Sequence, residues 1–370
     1  VSDSHPPAVF RPVIRERDPG IRLDRSALPW RNGLVVRATN WLGDTLMTLP
    51  AMHKLSVLVP EPCGFFVVCP AKLAPVWRAA EWVSEVIPMQ GKRLGKEGFR
   101  RLRQLKPGVG VVLPNSFGSA LDLWLAGIPV RLGRSGRLRR LLLTHRIAEW
   151  PRGENTGICH QLSYYLELVS AFGYVPWNAE CPELNVPGAE TVAQRFGIAP
   201  HVRTQWMALA PGAAYGTAKQ WPAENYADVA EWWRKQGGQV VVVGAPNERA
   251  VASAIARRVP GVLNLTGYTK LDELMAVLKS VDVVVANDSG AMHLAAALGT
   301  QGVAMFGSTD PISTGPIGAR WIVIQERLDC APCFRRTCPL ESDTCLCLER
   351  IAPARVCDAV AALLKTAGRQ

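Results

Sequence analysis

Residues 33–68 read GLVVRATNWLGDTLMTLPAMHKLSVLVPEPCGFFVV. The apolar run Leu34-Val35-Val36 leads into a glycine-bearing loop, a stretch from Thr45 to Leu58 follows with apolar residues at helical spacing, and Phe65-Phe66-Val67-Val68 closes the segment. Short apolar runs bounded by turn residues predict buried strands, and the amphipathic stretch between them predicts a helix. Strand, helix, strand in this order is a βαβ unit, which predicts a parallel sheet with helices on its faces.

Beyond that segment, a helix near Leu73 and a strand over Val109–Leu113 extend the first sheet. Met207–Ala210, Val240–Val243, Leu263–Leu265, Val281–Ala286 and Val303–Phe306 read as strands of a second sheet. Between the halves lie a helical segment, Ile158–Ala171, and a stretch carrying Pro176, Pro182 and Pro187 without periodicity. The fold class read from this pattern is α/β, with two Rossmann-like doubly wound domains facing an interdomain cleft. A length of 370 residues fits two domains. Residues 1–31, rich in Pro, Arg and Asp, read as a flexible or surface-hugging arm, 32–180 as the first domain and 181–190 as the linker. The second domain spans 191–350, with a cysteine-rich segment at 330–347, and 351–370 reads as a C-terminal helix.

Hydrophobic residues make up 48% and charged residues 20%, which excludes wholesale disorder and fibrous repeats. The net charge of +11 points to an anionic partner: nucleic acid, an acidic membrane face or a phosphorylated substrate. The first twenty residues hold no apolar run suited to a signal peptide, so export is not expected. The charge-free window Ser289–Thr309 is broken by Gly299-Thr300-Gln301-Gly302, and no transmembrane segment is read.

Several loops at predicted strand ends carry chemistry. In Thr39-Asn40-Trp41-Leu42-Gly43-Asp44, the aspartate is either a helix N-cap or a general base facing the cleft. In Ala210-Pro211-Gly212 through Thr217-Ala218-Lys219-Gln220-Trp221-Pro222, small residues let backbone amides approach an oxyanion, with Thr217 offering a hydroxyl and Lys219 a point charge. The alternative for Lys219 is a solvated surface lysine. Asn287-Asp288-Ser289-Gly290 opens a helix whose first turn suits a phosphate, with His293 one turn in. Asp288 is then an N-cap or an acceptor for sugar hydroxyls. Glu248, after Gly244-Ala245-Pro246, reads as a sugar or ribose ligand or as a first-turn helix acid. One domain thus offers a base and the other three anion- or hydroxyl-binding loops, which suggests an acceptor domain and a donor domain.

These pieces, together with Leu113-Pro114-Asn115-Ser116-Phe117 and Ala126-Gly127-Ile128-Pro129, resemble the bacterial heptosyltransferases of lipopolysaccharide core synthesis, inverting enzymes of glycosyltransferase family 9 with the GT-B fold. The resemblance covers residues 33–350 and is nearest to the branch that adds the second heptose, the enzymes adding the first or third being the alternative. It implies ADP-L-glycero-β-D-manno-heptose as donor and heptosylated Kdo-lipid A as acceptor, at the cytoplasmic face of the inner membrane. It further implies Asp44 as general base and Lys219 on the donor phosphates. Donor contacts fall to Glu248, Asp288, Ser289, Gly290 and His293, to which the loop reading above adds Thr217, and no cofactor is required.

An acceptor bearing Kdo carboxylates and lipid A phosphates calls for positive charge on the acceptor domain. Two basic runs fall there, from Lys92 to Lys106 and from Arg131 to Arg146. Arg131 and Arg134 are the expected direct contacts, with Asn40, Asn115 and Ser116 beside them. Cys330, Cys333, Cys338 and Cys345 can supply four thiolates to a structural zinc, although the second pair lacks zinc-ribbon spacing, or remain free or partly oxidised thiols. A nicotinamide-dependent dehydrogenase is disfavoured because no strand runs into G-x-G-x-x-G. A nucleic-acid-binding protein is disfavoured because no recognition motif accompanies the charge, and no nucleic acid partner is expected.

Overall fold

The computed structural model describes residues 8–136, 138–150, 159–173, 176–199, 205–340 and 345–367. The chain divides into two compact units, one of residues 13–185 and one that joins residue 186 onward to the segment before residue 13. The division falls inside the stretch read as the linker.

In the first unit six strands form one parallel sheet: β1 Gly33–Arg37, β2 Gly64–Pro70, β3 Glu85–Met89, β4 Val109–Val112, β5 Val130–Arg134 and β6 His145–Ile147, ordered β3-β2-β1-β4-β5-β6. Every residue of β1 and β4 is buried, as expected for central strands with both faces covered. The helix Leu42–Val57 packs on the helix Leu162–Ser170 and begins earlier than the spacing predicts, so Asp44 lies inside its first turn.

The second unit repeats the arrangement with β7 Trp206–Ala210, β8 Gln239–Val242, β9 Leu263–Asn264, β10 Val283–Asn287, β11 Gly302–Phe306 and β12 Trp321–Gln325, ordered β12-β11-β10-β7-β8-β9. Each sheet therefore has the doubly wound order, and its direction reverses between β1 and β4 or between β7 and β10. Ligands of such sheets bind beyond the carboxyl ends of the strands at that reversal. The helix Pro353–Ala367 packs on the second unit, in the region read as a C-terminal helix.

Residues 8–31 do not form a single free arm. Val9 makes an antiparallel bridge with Ile322, and the Phe10 N–H donates to Trp321 O at 2.7 Å, so residues 8–12 border β12 of the second unit. From Val13 the chain lies on the first unit, where Val13 O accepts from the His160 N–H at 2.8 Å and Ala171 O accepts from the Leu23 N–H at 2.8 Å. Backbone groups that meet partners in this way are ordered by hydrogen bonding, which composition alone does not reveal.

Candidate functional site

At the β1/β4 reversal the loop after β1 is held from beneath. Arg37, 1% exposed, donates to Ala38 O at 2.6 Å and to Asn40 Oδ1 at 3.2 Å, and its Nε lies 3.6 Å from Asp122. Thr39 and Thr45 share a hydroxyl hydrogen bond of 2.8 Å that joins the loop to the helix Leu42–Val57. The N-cap of that helix is Trp41, which is extended and makes no side-chain cap bond. The N-cap reading of Asp44 is therefore corrected: it is the acid in the first turn, where the helix dipole favours its charge.

Asp44 faces a cavity of about 470 Å³ lined also by Thr39, Asn40, Trp41, Asn115, Trp150, Gln161, Tyr164 and Tyr165. Among the described residues that line it, Asp44 is the one that carries a charge. Burial holds the Tyr165 phenol well above its usual range, and the Asp44 charge adds to the effect. Asn115 donates to the Tyr164 hydroxyl at 2.5 Å and so presents its amide at the same wall. The cavity can accept a polar molecule with aromatic surface on its flanks and one carboxylate able to take a proton.

Three expected acceptor contacts lie elsewhere. Ser116 caps the helix Phe117–Leu125, its Oγ accepting from the Ser119 N–H at 3.2 Å. Arg131 lies within β5 and donates to Leu142 O at 2.6 Å and to Ile128 O. Arg134, 1% exposed, donates to Ala148 O at 2.8 Å, Tyr164 O at 2.6 Å and Glu167 Oε2 at 2.5 Å, with its guanidinium 3.6 Å from the Tyr164 ring centroid. Arg134 therefore braces the cavity wall from behind. Buried cations need such partners, and a sequence displays the charge without them.

In the second unit, the loop after β7 is fastened to the end of β10 by Asn287, which is fully buried. Its Nδ2 donates to Pro211 O at 2.6 Å, while its Oδ1 accepts from the Trp221 N–H at 3.1 Å and the Tyr226 hydroxyl at 2.9 Å. This fixes the turn Thr217–Lys219 and places the Lys219 ammonium 2.5 Å from Asp288 Oδ2. Thr309 donates to the same oxygen at 2.6 Å. Sequence reasoning missed Thr309, yet Gly307-Ser308-Thr309-Asp310 follows β11 with the small and hydroxyl residues that marked the other loops.

Ser289, not Asp288, is the N-cap of the helix Gly290–Ala297, its Oγ accepting from the Met292 N–H at 3.4 Å. The N–H groups of the first turn, beginning at Gly290, form a seat for an anion beside Lys219. His293 is 5% exposed, and burial pushes its imidazole down to about 4, against the pull of Asp288 and with the push of Lys219. At neutral pH it is uncharged.

Glu248 accepts from the Ala245 N–H at 2.7 Å and lies against Gly212 and Gly244. A Cβ on Gly212 would fall 1.9 Å from the Glu248 carboxyl carbon, so glycine is required for the acid to reach the β7 loop. Burial raises the Glu248 carboxyl above its ordinary value. Thr217 is exposed on the same turn as Lys219.

Cys330, Cys333, Cys338 and Cys345 line one small cavity together with Cys347 and Ala218. Among the described residues, no group of three or more His, Cys, Asp or Glu side chains is arranged to hold a metal ion, so of the two readings of these cysteines the zinc site finds no support here. Burial, reinforced by the neighbouring cysteines, pushes Cys345 up to about 12 and Cys347 up to about 11, which keeps both as neutral thiols within an apolar core. The segment supports the loop after β7. Arg336 O accepts from the Ala218 N–H at 3.0 Å, and Phe334 O accepts from the Tyr215 hydroxyl at 2.8 Å.

A sequence model of Glycosyltransferase family 9 (heptosyltransferase) matches residues 97–343. The chain is 31% identical to lipopolysaccharide heptosyltransferase 2 of Escherichia coli strain K12, covering 79% of this chain and 87% of that one. It is 32% identical to lipopolysaccharide heptosyltransferase 1 of Pseudomonas aeruginosa strain PAO1, covering 88% and 96%. The solved structure of E. coli ADP-heptose LPS heptosyltransferase II superimposes with a TM-score of 0.77 at 28% identity, over 90% of this chain and 99% of that one. With two doubly wound six-stranded sheets of the GT-B type and these matches, the chain belongs to glycosyltransferase family 9, the heptosyltransferases.

Proposed function

We propose that this protein transfers heptose from ADP-L-glycero-β-D-manno-heptose to the heptosylated Kdo-lipid A inner core, the reaction of a heptosyltransferase II. The observation that carries the reading is the division of groups between two sheets of the same strand order. The carboxylate of Asp44 faces a cavity at one reversal, and a lysine, an aspartate and a helix N-terminus meet at the other. The likeness to E. coli heptosyltransferase 2 supports the choice of substrate.

Asp44 takes the proton of the acceptor hydroxyl as that oxygen attacks the anomeric carbon opposite the leaving ADP, a single displacement that inverts the centre. Lys219 and the first-turn amides at Gly290 receive the charge developing on the diphosphate, so the reaction needs no divalent metal. Lys219 is held by Asp288 before the donor arrives, and the phosphates then take up its free N–H donors. Thr217, Ser289 and Glu248 complete the donor contacts, with His293 as a neutral hydrogen-bonding group. The net charge of +11 suits work at an anionic membrane surface, here the cytoplasmic face of the inner membrane. Among the described residues, no helix is long and apolar enough to cross a membrane.

The test is transfer from ADP-heptose to two purified acceptors, Kdo-lipid A with and without the first heptose, read by mass spectrometry. Addition of one heptose only to the heptosylated acceptor is expected. Transfer to the unheptosylated acceptor instead would assign the first-heptose reaction.

A further inference from the structure

With Arg131 and Arg134 turned inward, no cation is found among the described residues that line the cavity of Asp44. Arg139 is also occupied, donating to Pro114 O at 3.2 Å and Ser135 O at 3.1 Å. In the other basic run, Arg93 pairs with Asp122 at 2.5 Å and Arg101 with Glu85 at 2.6 Å.

Two further cations lie over tryptophan rings that line the cavity without lining it themselves, Arg17 at a neighbouring cavity that it shares with Glu16, Asp18 and Glu167. Lys72 Nζ lies 5.5 Å from the Trp41 ring centroid, and Arg17 Cζ lies 5.1 Å from that of Trp150. Both cations are exposed, and among the described residues neither makes an ion pair. Arg17 belongs to the segment read from sequence as an arm, and its neighbours are tied down. The Arg15 N–H donates to Ser163 Oγ at 2.9 Å, and Glu16 Oε1 accepts from the Trp177 N–H at 3.4 Å. Ser163 lies on the helix Leu162–Ser170, which also supplies Tyr164 and Tyr165 to the cavity. A guanidinium stacked on an indole keeps its N–H edge available for a carboxylate or phosphate, and a stacked ammonium retains its donors.

We propose that Arg17 and Lys72 are the specificity-determining cations of the acceptor subsite, receiving oxyanion groups of a sugar whose hydroxyl faces Asp44. The proposal rests on the reading of the Asp44 cavity as the acceptor site. It moves the anion contacts from the β5 arginines to two residues whose cations lie over tryptophan rings.

The experiment is steady-state transfer by the full chain and its Arg17→Gln, Lys72→Gln, double and Arg17→Lys variants. Acceptors are used with and without their phosphates, and ADP-heptose affinity and the unfolding midpoint of each variant are measured in parallel. Each single substitution to Gln should raise the acceptor KM about tenfold, the size of one charge-assisted hydrogen bond. kcat, donor affinity and the midpoint should stay near the parent's, and Arg17→Lys should recover part of the loss. If the penalty disappears on the dephosphorylated acceptor, the cations read phosphate; if it persists, they read the sugar carboxylates. Unchanged acceptor KM in the double variant overturns the proposal, as does equal damage from Arg17→Lys with a lowered midpoint. A parent enzyme that transfers no heptose to any acceptor overturns the underlying reading instead, which is recognisable because the variants play no part in that result.

Discussion

The Lys219 ammonium lies 2.5 Å from the Asp288 carboxylate, joining the turn after β7 to the end of β10 at the reversal of the second sheet. Thr309 donates to the same carboxylate oxygen at 2.6 Å, so Asp288 holds the lysine in place from a carboxylate that is itself anchored. A lysine positioned before its ligand arrives loses less side-chain freedom on binding.

Removing that lysine should therefore weaken the ground state and slow the reaction together. Lys219→Ala is expected to bind ADP roughly 10- to 100-fold more weakly, the worth of a hydrogen bond to a charged group, and to lower kcat as well. Calorimetric titration of ADP checks the first part. Parental affinity would show that the diphosphate lies elsewhere.

Asp44→Asn keeps the size of the side chain and removes its basicity. Turnover is expected to fall by at least roughly 10²-fold, with ADP-heptose affinity unchanged because the groups proposed to bind the donor belong to the other sheet. Near-normal turnover in a mass-spectrometric assay would leave Asp44 with only its place in the first helical turn.

Arg134 and Glu167 are 1% and 4% exposed and lie 2.5 Å apart. Breaking this pair strands a buried charge, so Arg134→Ala is expected to cost about 3–5 kcal/mol of stability. Urea unfolding measures it. A direct acceptor contact would instead leave the midpoint near that of the parent and raise the acceptor KM.

His293 links stability to acid. Its imidazole titrates at about 4 in the folded chain and near 6.5 when exposed, so between those values the unfolded state binds the extra proton. Folding is therefore unaffected by this group above pH 6.5 and loses stability as pH falls from there towards 4. The full effect is roughly 3 kcal/mol. A His293→Met variant should show a shallower loss of stability over that window in denaturant titrations at successive pH values. An unchanged slope would mean that the imidazole is not held neutral.

The central strands were legible in sequence because β1, β4, β7 and β10 are short apolar runs buried on both faces, a pattern with few other meanings. β3, β6 and β12 do not stand out in the sequence, and β5 does so only as a strand-like segment flanked by Arg131 and Arg134. β3 lies at an edge and carries Glu85 and Pro88, β5 contains Arg131 and Arg134, and β6 has three residues, so none displays a clean apolar period. The loops around Asp44, Lys219 and Asp288 were legible because small residues and a single charge follow each apolar run. What local sequence conceals is the partner of a charge. Arg131 and Arg134 look like surface cations until β5 places them against backbone carbonyls and Glu167, while Arg17 looks like part of a loose arm until Trp150 lies beneath it.

The reading of the second sheet as the donor site is tested most directly by calorimetric titration of ADP-heptose, with UDP and NAD as comparisons at one salt concentration. ADP-heptose should bind more tightly than either, and the advantage should shrink in Lys219→Ala while persisting in Asp44→Asn. Equal or tighter binding of UDP or NAD would contradict it.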